Sequence, residues 1–258
     1  MSDPRTENRR LWDAWSDDFQ ALWAADTDEG ELPPAPCPFT DDAPGGSQPA
    51  LLQSVADLDV VELGCGGGQA SVGSAREGAE TVVGVDFSGE QLDHARRLRD
   101  RYGVEARFVG GDVTALPLAD DAFDVAFSGW VLQMVEDLDA AFREANRVLR
   151  DEGVFVFELP HPFYEVFDPA SETLERSYHE SGRRTITIKD DYDPEMVVFD
   201  RSVEEIHNAA VSAGFDVRRV LEPGSPDPAD YEDDPLASNR PELMAKVPRN
   251  LRFWTVAR

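Results

Sequence analysis

Val60-Val61-Glu62-Leu63-Gly64-Cys65-Gly66-Gly67-Gly68-Gln69 decides the fold of this chain. A β-branched apolar run enters a bend where four of five residues are glycine, and only a backbone without side chains turns so tightly while letting a ligand lie against it. So much glycine weakens a turn unless something uses the space it leaves. Two nucleotide readings compete. A dinucleotide fingerprint, Gly-x-Gly-x-x-Gly with a pyrophosphate on the following helix, needs a third glycine where Gln69 stands. The pattern is instead acid-x-Gly-x-Gly-x-Gly, and Glu62 suits a cationic amino-acid moiety better than a diphosphate.

Outward from this bend, strand and helix alternate. Strands are expected at Asp59–Leu63, Thr81–Val85, Ala106–Val109, Phe123–Phe127 and Val154–Phe157, with a helix from the glycine bend to Gly78 and others at Ser88–Arg101 and Leu138–Arg150. Such alternation implies right-handed crossovers and a Rossmann-like, mostly parallel α/β sheet with helices on both faces. Ser88 with Gln91, and Ser202 with Glu205, have the spacing of a capping box; Gly78 and Gly214 stand where helices should stop. After Glu158 the rhythm breaks: Leu174–Tyr178 and Thr185–Ile188 around Ser181-Gly182 read as a hairpin inserted in the fold. Helix Val203–Ala213 and strands Phe215–Leu221 and Leu251–Ala257 complete a seven-stranded sheet. Before the bend, Leu11, Trp12, Trp15, Phe19, Leu22 and Trp23 make an aromatic helical stripe over Arg9–Ala25, followed by the proline-rich stretch Glu29–Ala50. The expected organisation is an amino-terminal helix and lid (1–50), a ligand-binding core (51–160), a substrate-lid insertion (161–200) and completion of the sheet (201–258).

Of the 258 residues 41% are hydrophobic, enough for a core, and no apolar run is long enough for a membrane helix. The polar amino terminus makes the cytoplasm the expected address. Two cysteines, Cys37 and Cys65, exclude a disulfide framework and a four-thiolate zinc site, and no metal is expected. The formal charge is −28, and the only lysines are Lys189 and Lys246. Such a surface repels nucleic acid and suits a high-salt environment, where screening suppresses self-repulsion.

Taken together these motifs resemble class I S-adenosylmethionine-dependent methyltransferases, in particular the type 11 group typified by ubiquinone/menaquinone-biosynthesis enzymes. The resemblance spans about Val55 to Pro160. It implies binding of S-adenosyl-L-methionine, release of S-adenosyl-L-homocysteine, and methyl transfer to a small-molecule acceptor by a monomer or homodimer. Residue by residue, Glu62, Gly64, Cys65, Gly66 and Gly68 match the first motif; Asp86 and Phe87 in Gly84-Val85-Asp86-Phe87-Ser88 match the second, with Asp86 on the ribose hydroxyls. Gly111-Asp112-Val113 resembles the adenine-edge motif, Asp112 facing the exocyclic amine and Val113 offering its backbone; Phe123 through Ser128 resembles the fourth-strand motif. Trp15 and Phe19 fall in a segment resembling the helix that caps the cofactor, although Phe19 stands where tyrosine is common.

Independently of any family, Asp86 lies 20 residues beyond Gly66, about the interval of a ribose-binding carboxylate. Asp112 could instead begin a turn, and the aromatic stripe could be packing alone. For the acceptor pocket the candidates are Trp130, Gln133, His161, Tyr164 and Tyr192. Gln133 occupies a place where the family often has histidine. His161, between Pro160 and Pro162, is the candidate general base, against a structural loop histidine. Two alternatives stay open, an NAD(P)-dependent oxidoreductase and a catalytically inactive cofactor-binding protein.

Overall fold

The structure, a computed structural model, describes residues 3–26, 54–168, 171, 173–188, 194–231 and 240–258. Seven strands form one sheet: β1 (Asp59–Leu63), β2 (Thr81–Asp86), β3 (Arg107–Gly110), β4 (Phe123–Gly129), β5 (Leu149–Pro160), β8 (Phe215–Leu221) and β9 (Asn250–Ala257). Their order is β3-β2-β1-β4-β5-β9-β8, with β9 the one strand running against the others. The central strands are buried nearly end to end, which explains why they read as unbroken apolar runs. Alternate residues then separate the faces. Val61, Leu63, Phe155 and Phe157 pack with α4 (Leu138–Val148) and α5 (Val203–Ser212), through Phe142 and Ile206. On the other face Val60, Val125, Phe127 and Val156 form a second cluster. A third, with Cys65, Val72, Leu92 and Phe108, seats α2 (Gln69–Arg76) and α3 (Gly89–Tyr102).

Three local expectations are corrected. The helix read to Arg150 ends at Val148, because Leu149 pairs with Phe123 and starts β5; Val125 then pairs with Val154, and the irregularity contains Glu152 at φ 63°. The insertion pairs differently: β6 (Gly182–Ile186) meets β7 (Met196–Asp200), whereas Leu174 makes only an isolated bridge to Phe167 and is 64% exposed. Val197 and Val198 bring apolar burial to β7 that the Leu174 segment does not offer. Finally, Ser202 and Glu205 form a complete capping box, but at Ser88 only half forms, since the Gln91 side chain accepts from Gln20 rather than reaching back. The proline-rich stretch 29–50 and Tyr192 lie outside the described residues.

The amino-terminal helix, α1 (Pro4–Asp26), is longer than its aromatic stripe suggested. Its buried Asn8 behaves like a strand residue toward β7, donating from Nδ2 to the Val197 carbonyl (2.8 Å) and accepting the Val197 N–H at Oδ1 (2.7 Å). Asn8→Ala would leave both backbone groups unpaired in a dry contact, so it should destabilise the fold by about 2–4 kcal/mol. Urea unfolding checks this; a loss below about 0.5 kcal/mol would show that α1 is held by its aromatic face alone.

Candidate cofactor and acceptor site

Strands β1 through β5 all end on one edge of the sheet, and the candidate residues gather there. Gly64, Gly66 and Gly68 have φ of 76°, 48° and 78°, so the alternation of glycine follows an alternation of left-handed backbone. A Cβ on Gly64 would overlap the Val131 side chain, and one on Gly68 would come within 2.7 Å of Ala95 Cβ, whereas at Gly66 the nearest atom would be 3.7 Å away. The bend is thus packed from behind and bare at its middle.

Asp86, at the tip of β2, is buried and locks this bend. Its Oδ2 accepts the Gly66 N–H and its Oδ1 the Ser88 N–H, both at 2.8 Å. Each carboxylate oxygen keeps a second lone pair that could serve ribose hydroxyls. Desolvation outweighs these hydrogen bonds and pushes the Asp86 carboxyl up to about 6. Glu62, one residue before the end of β1, accepts from the Ser71 hydroxyl; burial, reinforced by the Asp86 charge, pushes it up to about 8. Two buried acids thus stand beside the bare middle of the bend. Cys65 is buried behind the bend and its thiol is pushed up by desolvation, so it serves as filler.

Farther along the edge, Asp112 accepts from the Thr114 N–H and hydroxyl at Oδ1, each 2.8 Å, and from Arg5 of α1 at Oδ2, 2.6 Å. Burial works to raise its pKa, but the Thr114 and Arg5 bonds prevail and lower it. Val113 beside it is buried. The carboxylate therefore makes the local turn and pairs with Arg5. Helix α1 continues across the same edge: Ser88 donates to its Asp13 (2.7 Å), and its Gln20 lies over Gly67 and bonds both Gln69 and Gln91. Trp15 and Phe19, 5.1 Å apart, are half-buried within an aromatic trio with Trp12. Phe87 is half-buried after Asp86, and the buried Ser128 hydroxyl donates to the Leu63 carbonyl, tying β4 to β1. Residues Arg5, Asp13 and Gln20 carried no signal of their own as isolated polar positions on a helix; only the docking of α1 gives them partners.

On the acceptor side Trp130 has φ 58°, is 38% exposed and donates from Nε1 to Glu158 (3.2 Å). Gln133 donates to the Trp130 carbonyl (2.7 Å) and keeps a buried, unpaired Oε1. Both ring nitrogens of His161 have partners: Nδ1 accepts the Phe163 N–H (3.1 Å), so Nε2 carries the proton and donates to Glu222 (2.8 Å). Desolvation lowers its pKa against the pull of Glu222. Tyr164 is buried in a small core with Tyr231, Leu243 and Met244. Among the described residues no cluster of His, Cys, Asp and Glu could hold a metal, and no helix is long and apolar enough to cross a membrane.

Part of this chain is similar to known proteins. Residues 61–157 match the family model described as "Methyltransferase domain". A malonyl-[acyl-carrier protein] O-methyltransferase of Halorhodospira halophila is 35% identical over 137 residues, 49% of this chain and 46% of that protein. A demethylmenaquinone methyltransferase of Thermus thermophilus is 41% identical over 86 residues, 33% of this chain and 39% of that one. A solved S-adenosylmethionine-dependent methyltransferase from Mesorhizobium loti superposes with a TM-score of 0.64 at 29% identity, covering 80% of this chain and 94% of that one. The chain spans less than half the length of the curated relatives it matches.

The buried acids make ligand-free stability pH-dependent. Glu62 binds its proton more tightly folded (about 8) than its ordinary 4.5, so its contribution is complete below about pH 4.5 and is lost as pH rises toward 8. Asp86 acts likewise, but mostly below about 6. Between pH 6.5 and 8 unfolding free energy should therefore fall by up to about 1.4 kcal/mol per pH unit in the wild type and clearly less in Glu62→Gln. Denaturant titrations across that range check it; equal slopes in both proteins would remove Glu62 as the source.

Proposed function

We propose, from the premise that residues 61–157 are a methyltransferase domain, that this chain transfers the methyl group of S-adenosyl-L-methionine to a small-molecule acceptor. The observation that carries the reading is the pair of buried carboxylates, Glu62 and Asp86, flanking the left-handed glycine bend with its open middle at Gly66. When bound, the cofactor supplies an activated methyl on a sulfonium and leaves as S-adenosyl-L-homocysteine. The residues present suit it. Glu62 regains its charge against the ligand's ammonium, Asp86 accepts from the ribose hydroxyls, and Asp112 with the Val113 backbone meets the adenine edge once Arg5 yields. Trp15 and Phe19 on α1 roof the crevice and help exclude water.

Methyl transfer of this kind is an in-line displacement, and what the chain contributes is alignment and a dry site rather than a nucleophile of its own. Trp130 and Gln133 bound the acceptor region, and His161 fixes the loop after β5. The names of the relatives support a small or carrier-borne acceptor. The charge of −28 and the near absence of lysine support a cytoplasmic enzyme of a high-salt organism that does not bind nucleic acid. A monomer or homodimer is the assembly we infer. No observation favours a dinucleotide: the third glycine of its fingerprint is replaced by Gln69, which is engaged with Gln20.

Calorimetric titration with S-adenosylhomocysteine in high salt tests the assignment. Asp86→Ala removes a charged acceptor for two hydroxyls and should weaken binding by roughly 1.5–3 kcal/mol, about 10- to 150-fold. Unchanged affinity would take Asp86 out of the site.

A further inference from the structure

Among the described residues, Arg240 is a buried cation with unmet hydrogen bonds. It is 7% exposed, its Nε and Nη1 are shielded from water, and neither finds an acceptor among the described residues. Its guanidinium stacks on the Tyr164 ring, with Cζ 4.7 Å from the centroid, and the Tyr164 hydroxyl is also buried without a partner. Two adjoining side chains thus carry unused donors in the same small core, in a chain whose net charge is −28 and where acids abound. The acid nearest in sequence, Glu242, is engaged with Lys246 at 3.5 Å. A guanidinium cannot shed its proton to escape burial, so an unpaired one is maintained at a cost to stability.

The location connects this pair to the acceptor side. Tyr164 begins a short 3-10 turn just after β5, whose terminal Pro160 pairs with Asn250 at the start of β9; Arg240 caps α6 (Pro241–Met244), the last helix before β9. The same edge carries Trp130, with Arg249 Cζ 5.1 Å over its ring, and the Arg249 carbonyl accepts the His161 N–H at 2.7 Å. Trp130, Arg249, His161, Tyr164 and Arg240 therefore form one continuous set at the end of the sheet where β4 and β5 finish.

We propose that Arg240, with the Tyr164 hydroxyl, is the counter-ion site for a carboxylate carried by the methyl acceptor. This rests on the methyl-transfer reading and narrows its substrate class to organic acids. A planar guanidinium with one added hydroxyl donor matches the two oxygens of a carboxylate and falls short of what the four oxygens of a phosphate need. Because both nitrogens are shielded in this conformation, an incoming acid opens the Tyr164–Arg240 stack locally, exchanging a ring face for a charged partner. Arg240 is a specificity-determining residue in this role: it holds a part of the acceptor and takes no part in the displacement.

The test uses the full chain at fixed chloride, with malonate and its uncharged isostere malonamide as probes, titrated with and without S-adenosylhomocysteine. Malonate should bind at least tenfold more tightly than malonamide; Arg240→Gln should abolish that preference while leaving S-adenosylhomocysteine affinity within twofold, and Arg240→Lys should restore part of it. A wild type that does not distinguish the probes, or Arg240→Gln keeping the preference, would overturn the proposal. Tighter binding of inorganic phosphate than of malonate would overturn the carboxylate assignment. Retained malonate preference without any S-adenosylhomocysteine binding would sustain the anion site and sink the methyl-transfer reading instead. Arg240→Met, which removes the unpaired charge while keeping bulk, should raise the melting temperature; a lowered one would mark Arg240 as a structural residue and count against the proposal.

Discussion

One hydrogen bond organises the functional edge of this protein: the Gly66 N–H held by the buried carboxylate of Asp86 at 2.8 Å. It joins the turn after β1 to the tip of β2, and the other oxygen of the same carboxylate holds Ser88 at the start of α3. A bend with three left-handed glycines has many conformations to lose, and this carboxylate supplies a fixed point from outside the turn. Burial exacts a charge penalty in return, visible in the upward displacement of both Asp86 and Glu62. Two buried acids displaced in the same direction at one strand edge mark it as a candidate site.

Over this edge lies α1, and its contacts explain how one helix ties the amino terminus to three distant parts of the chain. Asn8 completes β7, Arg5 neutralises Asp112, and Gln20 bridges Gln69 and Gln91 across the bend. The Arg5 and Gln20 contacts lie along the edge where the candidate residues gather, whereas Asn8 makes a dry, buried pairing with β7. The aromatic trio of Trp12, Trp15 and Phe19 holds the helix in place while its polar groups exchange partners. Docking of the amino-terminal helix, the inserted β6–β7 pair and the ligand crevice is thereby a single problem.

The sheet was legible because its strands are buried on both faces: Val60 to Leu63, Thr81 to Val85 and Phe123 to Phe127 read as unbroken runs and fold as such. Glu62, Asp86 and the glycine spacing were legible because local backbone geometry demands those residue types. What escaped were pairings made at long range. Nothing near Asp112 announces Arg5, 107 residues away, and nothing near His161 announces Glu222, whose carboxylate pairs with its ring. The hairpin partner was missed because exposed strands lack a strong pattern, so β7 is chosen by what α1 covers rather than by its own sequence. Leu149 leaves the expected helix because a partner strand offers it a ladder, a preference no helical period can reveal.

The central claim is that the bare bend after β1, walled by buried acids, is shaped for a sulfonium nucleoside and not for a dinucleotide. Parallel calorimetric titrations of the unaltered chain with S-adenosylhomocysteine and with NADH address it most directly. One-to-one binding of the former with no heat from the latter is expected. Stoichiometric NADH binding with no S-adenosylhomocysteine binding would contradict the assignment of that edge.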